Sequence, residues 1–259
     1  MSYRLALAGD PVEHSLSPVM HRAALDATGL SGSFRLLRCD DDGLRAVVAQ
    51  LRAGDWDGLN VTMPHKSLAA RLADELTPLA RRSGSVNTLM MRQGHVWGHS
   101  TDAVAMAQAL AQAPFADDAP LLVLGSGGAA AAVLAASERE VFLAARDMEA
   151  AKTLASKHPH IEVEVVEFGT AVVGALVVNA TSLGMAGEGL PSGILEVAGG
   201  LIDLPYGAEE TPAAAAARGR SLPLLDGYRF LAMQAAESFA WWTGRAVEVG
   251  VLVEAARNA

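Results

Sequence analysis

Cysteine is almost missing from this chain, with Cys39 the sole representative. One thiol excludes an internal disulfide framework and fits a reducing compartment. Nothing near it in sequence would activate it, so Cys39 reads as a buried residue and not as a reactive one. Charged residues are 19% and aromatic residues 5% of the chain, and no basic block rises anywhere against a net charge of -9. That balance argues against nucleic acid as a partner. No apolar span of membrane length occurs free of charges or breakers, and the apolar run in MSYRLALAGDP is too short for a secretory signal. A soluble, cytoplasmic protein with no membrane partner is expected. His14, His21, His65, His95 and His99 show no ligand-like spacing with carboxylates or with Cys39, so metal chemistry has no support.

What is present is a globular composition, 51% hydrophobic over 259 residues, enough for one large or two ordinary domains. The stretch around which the rest is arranged is Gly58–Lys66, GLNVTMPHK. Leu59 and Val61 give a short apolar strand, and Pro64 must end it because proline cannot donate to a ladder. Lys66 then heads a helical pattern of Leu68, Leu72 and Leu76, extending to about Ala73. A lysine just past a strand end stands where active-site groups of α/β proteins gather. Alone, it would be read as a solvated loop residue.

Before it, Tyr3–Ala8 is strand-like and runs into the turn Gly9-Asp10-Pro11. Glu13-His14-Ser15-Leu16-Ser17-Pro18 leads into a helix carrying Val19, Ala23, Ala24 and Leu25, with Ser17 placed to cap it and Pro18 at its first position. Capping accounts for Ser17 but not for Ser15; two hydroxyls beside a helix N-terminus also make a neutral site for a small carboxylate. Ser33–Cys39 reads as a strand and Gly43–Arg52 as an amphipathic helix. Ser85–Met91 reads as a strand containing Asn87, a buried amide in need of partners, and Gln93-Gly94 turns it into His95–Gly98. Asp102 heads the helical stretch Ala103–Ala113, where an N-cap is the plain reading.

The break Pro114–Pro120 is the best domain boundary by composition. Beyond it Leu121–Leu124 is a short buried strand, Gly125-Ser126-Gly127-Gly128-Ala129 a glycine turn, and Ala129–Ala136 a helix. In that arrangement backbone N–H groups and a helix N-terminus receive a pyrophosphate. Strands at Val141–Ala144, Val163–Val166, Leu176–Val178 and Leu201–Leu204 complete the pattern of a doubly wound parallel sheet. The second strand ends in Ala145-Arg146-Asp147; arginine there suits a 2′-phosphate and an acidic residue a ribose hydroxyl, which leans to NADP over NAD. Asn179–Met185 ends another strand with polar residues and a glycine, and Ala213–Ala217 is a structural helix segment. Leu222–Asp226 gives a last short strand. The helix Tyr228–Trp242, with Phe230, Leu231, Met233, Phe239 and Trp242 as its apolar set and Gln234 as the odd polar member, and the helix Val247–Ala256 form no further βα unit. They are expected to pack back on the first domain.

Taken in order, several of these stretches resemble the shikimate dehydrogenase family: Gly9-Asp10-Pro11 with His14–Pro18 and His21, Asn60–Lys66, Ser85–Leu89, Thr101-Asp102, the turn 125–129, Asn179–Met185, and Gly227 with Leu231, Gln234, Phe239 and Thr243-Gly244. The resemblance covers nearly the whole chain. It implies an α/β protein with an N-terminal substrate-binding catalytic domain (1–101 and 229–259), a Rossmann NADP-binding domain (102–228), and C-terminal helices packed on the first. It implies Lys66 and Asp102 as the catalytic pair and Ser15 and Ser17 on the substrate carboxylate. Thr62, Asn87, Tyr206 and Gln234 would serve the ring hydroxyls and carboxylate. Gly125, Ser126, Gly127, Gly128, Ala129, Arg146, Leu204 and Gly227 would contact NADP(H), with NAD(H) left open. The implied reaction is hydride transfer between NADPH and 3-dehydroshikimate to give shikimate, by a monomer or homodimer. The chain departs from the family at Ser100, Ala105, Ala145, Asp147 and Ala208, where asparagine, glycine, asparagine, threonine and proline are usual. Asp147 beside a 2′-phosphate would be repulsive. A quinate or aminoshikimate dehydrogenase using NAD, and a non-catalytic nucleotide-binding regulator on the same fold, are the alternatives.

Overall fold

The computed structural model describes residues 2–112, 114–115, 118–207 and 209–259. The chain forms two compact units, Met1–Ala105 with Ala232–Ala259, and Met106–Leu231. The first opens with β1 (Ser2–Gly9), α1 (Ser17–Thr28), β2 (Ser31–Arg38), α2 (Asp41–Ala53), β3 (Gly58–Val61) and α3 (Lys66–Leu72). It continues through β4 (Glu75–Leu76), α4 (Pro78–Ser83), β5 (Thr88–Arg92), β6 (His95–His99) and the start of α5 (Thr101–Leu110). The second unit contains β7 (Leu121–Leu124), α6 (Gly128–Ala136), β8 (Val141–Ala144), α7 (Met148–Ser156), β9 (Val163–Val166) and β10 (Leu176–Asn179). Then follow α8 (Ile194–Val197), β11 (Gly200–Asp203), α9 (Pro212–Gly219) and β12 (Leu224–Leu225). Helix α10 (Gly227–Thr243) leads out of it, and α11 (Val249–Arg257) closes the chain.

The sheet of the first unit has the order β2-β1-β3-β5-β6-β4, with β1, β2 and β3 parallel and β5 antiparallel to both β3 and β6. Its core joins Ala6, Ala8, Leu44, Leu51, Leu59, Val61, Leu68 and Leu89. Gln93 and Gly94 both take positive φ, 53° and 81°, which is the twist a two-residue hairpin needs. The second sheet runs β12-β11-β10-β7-β8-β9 and every pairing in it is parallel. Counted from β7, that is the 3-2-1-4-5-6 order of a dinucleotide-binding sheet, and the order reverses between β7 and β10. All four residues of β7 are buried, as expected of a parallel strand covered on both faces.

Several element limits differ from expectation for local reasons. Helix α3 stops at Leu72 because Ala73 is extended, so Leu76 lies in β4 and not on the helix. Strand β5 begins at Thr88, which leaves Asn87 just ahead of it. Helix α5 ends at Leu110; Ala113, the expected end, falls outside the described residues, as do Ala116 and Asp117 of the expected break and Ala208. Leu16, not Ser17, is the cap residue of α1, and no side chain caps that helix. Cys39 is half-buried, and burial pushes its thiol pKa up.

The C-terminal helices do pack on the first unit, α11 against α1. Trp242 donates its indole N–H to the Leu89 carbonyl at 3.1 Å, and its ring covers the backbone of Gly58, where a Cβ would come within 2.6 Å of it. Beside it His21, 1% exposed, stacks on Phe34 with ring centroids 4.4 Å apart and lies 5.3 Å from the Trp242 ring. Burial pushes the His21 pKa from 6.5 down to about 3, with a hydrogen bond to Asn60 opposing it only in part. The unfolded chain therefore binds this proton first. The stability that the neutral ring contributes is complete above about pH 6.5 and is lost as pH falls toward about 3, at up to ~1.4 kcal/mol per pH unit. His21→Phe should flatten the urea midpoint of the first unit between pH 6.5 and 4, and an unchanged slope would exclude His21 as the titrating group.

Candidate active site

The strand register decides which residues of the first unit share an edge. Gly9 is level with Arg38, and Ala8 with Val61, so the carboxyl ends of β1, β2 and β3 lie together. Because β5 is antiparallel to β3, with Asn60 opposite Thr88, the start of β5 comes to the same edge. Pairing of Thr88 with His99 brings the end of β6 there as well. Asp10–Ser17, Cys39–Asp41, Thr62–Lys66, Asn87 and Ser100–Asp102 therefore leave the sheet along one side.

At this edge Lys66 donates from Nζ to Asp102 Oδ2 at 2.7 Å. The lysine side chain is 20% exposed and the carboxylate 6%, so the ammonium keeps an open face while its partner is shielded. Asp102 is not the cap of α5. The Ala103 N–H reaches Ser100 Oγ at 3.4 Å instead, which frees the Asp102 carboxylate for Lys66. Asn87 accepts the Thr101 N–H on Oδ1 at 2.8 Å and donates from Nδ2 to Thr101 Oγ1 at 2.9 Å. A buried amide paired at both its oxygen and its nitrogen thus braces the backbone next to Asp102. Ser15 and Ser17 face each other, Oγ to Oγ at 3.1 Å, and Ser15 Oγ also accepts the Ser17 N–H at 3.2 Å. Thr62 donates its N–H to Ala8 at 2.9 Å and accepts from the His65 N–H at 3.0 Å. Gln234 sits half-buried on α10, in the part belonging to this unit.

In the second unit a cavity of about 260 Å³ lies at the carboxyl ends of β7, β8 and β10, lined by Gly125–Gly127, Ala145–Asp147, Phe168 and Ala180–Ser182. Gly125 has φ +116°, and a Cβ there would sit 2.9 Å from the Ala180 carbonyl oxygen, so only glycine fits the turn. Helix α6 starts at Gly128 and Ala129 with no capping side chain and no acidic residue in its first turn. Its free N–H groups, at the point where the strand order reverses, fit a pyrophosphate. Arg146 lines the same cavity. Asp147 accepts the Ala150 N–H on Oδ1 at 2.9 Å and caps α7, so the positive end of that helix offsets its charge. Leu204 and Gly227 adjoin, since a Cβ on Gly227 would lie 2.7 Å from the Leu204 carbonyl oxygen. Tyr206 lies after β11 with its ring 6.0 Å from Tyr228, and burial raises its hydroxyl pKa. Behind this edge Asn179 Nδ2 donates to Asp203 Oδ1 at 2.7 Å and to the Leu183 carbonyl at 3.0 Å, and Thr211 donates to the other Asp203 oxygen. Burial pushes the Asp203 carboxyl up, against those hydrogen bonds.

Known proteins give the same reading. The profile of the shikimate dehydrogenase substrate binding domain matches residues 7–89. The shikimate dehydrogenase (NADP(+)) of Gluconobacter oxydans is 39% identical over 91% of this chain and 88% of its own. The chain belongs to the shikimate dehydrogenase family. The shikimate dehydrogenase (NADP(+)) of one Thermus thermophilus strain is 35% identical over 99% of this chain and 98% of its own. The crystal structure of a Thermus thermophilus shikimate 5-dehydrogenase in complex with NADP(H) and shikimate superposes with a TM-score of 0.85 at 33% identity, covering 99% of both chains.

Sequence reasoning gave no role to three contributors. Thr101 is the partner of Asn87, and Asn60 donates to the Asn87 carbonyl and Thr88 Oγ1 at 3.1 and 3.0 Å. Phe168 lines the glycine-turn cavity. Asn60, a polar residue in the apolar strand GLNV, was the readable signal; Phe168 had none beyond its place after β9. Gly125→Ala should weaken NADPH binding by more than about tenfold, because the strained turn must shift to relieve the clash with Ala180. Quenching of protein fluorescence by NADPH measures this, and wild-type affinity in the variant would remove the turn from cofactor binding.

Proposed function

We propose that this chain is an NADP-dependent shikimate dehydrogenase, interconverting 3-dehydroshikimate and shikimate. The observation that carries the proposal is the largely shielded Lys66–Asp102 pair at 2.7 Å, on the sheet edge of a chain that belongs to this family. Residues 1–101 and 229–259 would serve the substrate and 102–228 the cofactor. The glycine turn, the start of α6 and Arg146 would hold NADPH, which when bound would supply the hydride for the carbonyl carbon. The chain's own residues handle the rest. The Lys66 ammonium donates a hydrogen bond to the carbonyl oxygen, stabilises its growing negative charge and delivers a proton to it, so the C=O becomes CH–OH. In the reverse direction the neutral amine takes that proton back. Asp102 orients Nζ and accepts from a neighbouring ring hydroxyl.

The remaining positions are assigned by chemistry. Ser15 and Ser17 present two neutral hydroxyl donors to the substrate carboxylate. Asn87 keeps one N–H beyond its bond to Thr101, which suits a ring hydroxyl, and Thr62, Tyr206 and Gln234 add hydroxyl and amide groups. As part of the same proposal the enzyme works in the cytoplasm on a small molecule, without nucleic acid, as a monomer or homodimer.

Purified protein mixed with shikimate or quinate, each with NADP or NAD, should reduce cofactor fastest with shikimate and NADP. Preference for quinate or NAD would move the enzyme to that relative, and cofactor binding without turnover in any mixture would leave a regulator. Lys66→Ala should lower kcat by ~10²–10⁴-fold, the usual worth of acid–base help, with KM for shikimate within a few-fold. Near-full turnover by that variant would remove Lys66 from the chemistry.

A further inference from the structure

His65 precedes the proposed catalytic lysine and has no place in the reaction just described. Its side chain is 3% exposed, and both ring nitrogens are engaged: Nδ1 lies 2.7 Å from Asp41 Oδ1 and Nε2 lies 2.8 Å from the Cys39 carbonyl oxygen. A carbonyl oxygen can only accept, so Nε2 carries a hydrogen. The ring thus bridges the Asp41 side chain and the Cys39 backbone, and it lies among Asp10, Asp40, Asp41 and Asp42, which with it line one surface hollow.

The backbone of the same residue holds the lysine. The His65 N–H donates to Thr62 at 3.0 Å, and the His65 carbonyl accepts the Ala69 N–H at 2.8 Å, closing the first turn of α3 just where Lys66 begins it. No side chain caps α3 at that residue. The direction in which Lys66 leaves the turn is thus set by a ring anchored on two other elements, the end of β2 through Cys39 and the first turn of α2 through Asp41. We infer that the Asp41–His65 pair is a positioning device that holds Lys66 on Asp102. The inference rests on the shikimate dehydrogenase reading for its kinetic consequence, but its geometric content does not.

The test uses Asp41→Asn, His65→Gln and, as a control, Asp42→Asn, whose side chain is 97% exposed and whose neighbour is Arg45. Misplacing a reacting group by about 1 Å costs up to ~10²-fold in rate, so Asp41→Asn should lower kcat about tenfold and His65→Gln further. KM for shikimate should stay within about twofold of wild type and thermal midpoints within a few degrees, while Asp42→Asn behaves as wild type. A readout independent of turnover comes from ¹⁵N-lysine labelling, since the chain has only Lys66, Lys152 and Lys157. The Lys66 Nζ signal should move in Asp41→Asn and His65→Gln, with the other two fixed. Loss of wild-type turnover in every assay would sink the functional reading alone, and the lysine signal would still decide the clamp. An unmoved Lys66 signal in both variants overturns the inference, as does unchanged kcat in an active enzyme. A common fall of kcat, rise of KM and loss of thermal stability would likewise reduce His65 to a structural residue.

Discussion

The buried Lys66–Asp102 ion pair ties the helix starts of the first unit to the register of its sheet. Asp102 is almost wholly removed from water, and a carboxylate in that position is costly unless a cation and further donors meet it. Its cation comes from a residue 36 positions away in sequence, at the head of a different helix. The two helix starts can meet only if β3, β5 and β6 are in the observed register, because that register alone puts the carboxyl ends of β3 and β6 on one edge. A slip of one residue would turn the apolar face of β5 outward and separate the charges at once. Asn60 and Asn87 guard against this. The Asn60 amide holds the backbone of Asn87 just ahead of β5, and the Asn87 amide holds the backbone of Thr101 at the start of α5.

The choice of lysine is informative in a chain that avoids it. Positive charge here is carried mostly by arginine, with lysine only at 66, 152 and 157. Arginine would make a stronger, bidentate bond to Asp102 but cannot give up its proton at ordinary pH. An ammonium with one carboxylate partner and an open face can instead donate a hydrogen bond, then the proton itself. Lys152, by contrast, pairs with Glu149 on the surface of α7, where either cation would serve.

What the sequence made legible follows from how each feature is encoded. Strands β7 and β8 could be read to the residue because parallel strands covered on both faces become unbroken apolar runs, as LLVL and VFLA do, whereas the expected strand Leu222–Asp226 shrinks to Leu224–Leu225. The glycine turn was equally plain, since its backbone geometry demands the residue type. In the first unit local pattern made the motif residues legible but not their partners, and only the family resemblance joined Lys66 to Asp102. Asp102 looked like a helix cap because a cap is a local pattern, whereas its real partner is distant. Ser17 looked like the cap of α1 for the same reason, although Leu16 occupies that place and Ser15 is the hydroxyl that accepts a backbone N–H. The Asp41–His65 contact spans 24 positions and leaves no trace in periodicity. The two-residue strand β4 is too short to show any period at all.

In the proposed reaction a chain of net charge -9 must recognise two anions, a carboxylate and a phosphorylated dinucleotide. Its overall field works against both, but charges farther than about 8 Å are largely screened at physiological ionic strength, so nearby donors decide the matter. The two units use different donors. The first offers hydroxyls, Ser15 and Ser17, which contribute hydrogen bonds without a buried cation that would compete with Lys66 for Asp102. The second offers backbone N–H groups at the uncapped start of α6, with one arginine at the cavity edge. Asp147 sits beside that arginine without undoing it, because its carboxylate caps α7 and its charge is offset by that helix end. The acidic residue that local reading set against a 2′-phosphate is thereby accounted for by the next helix.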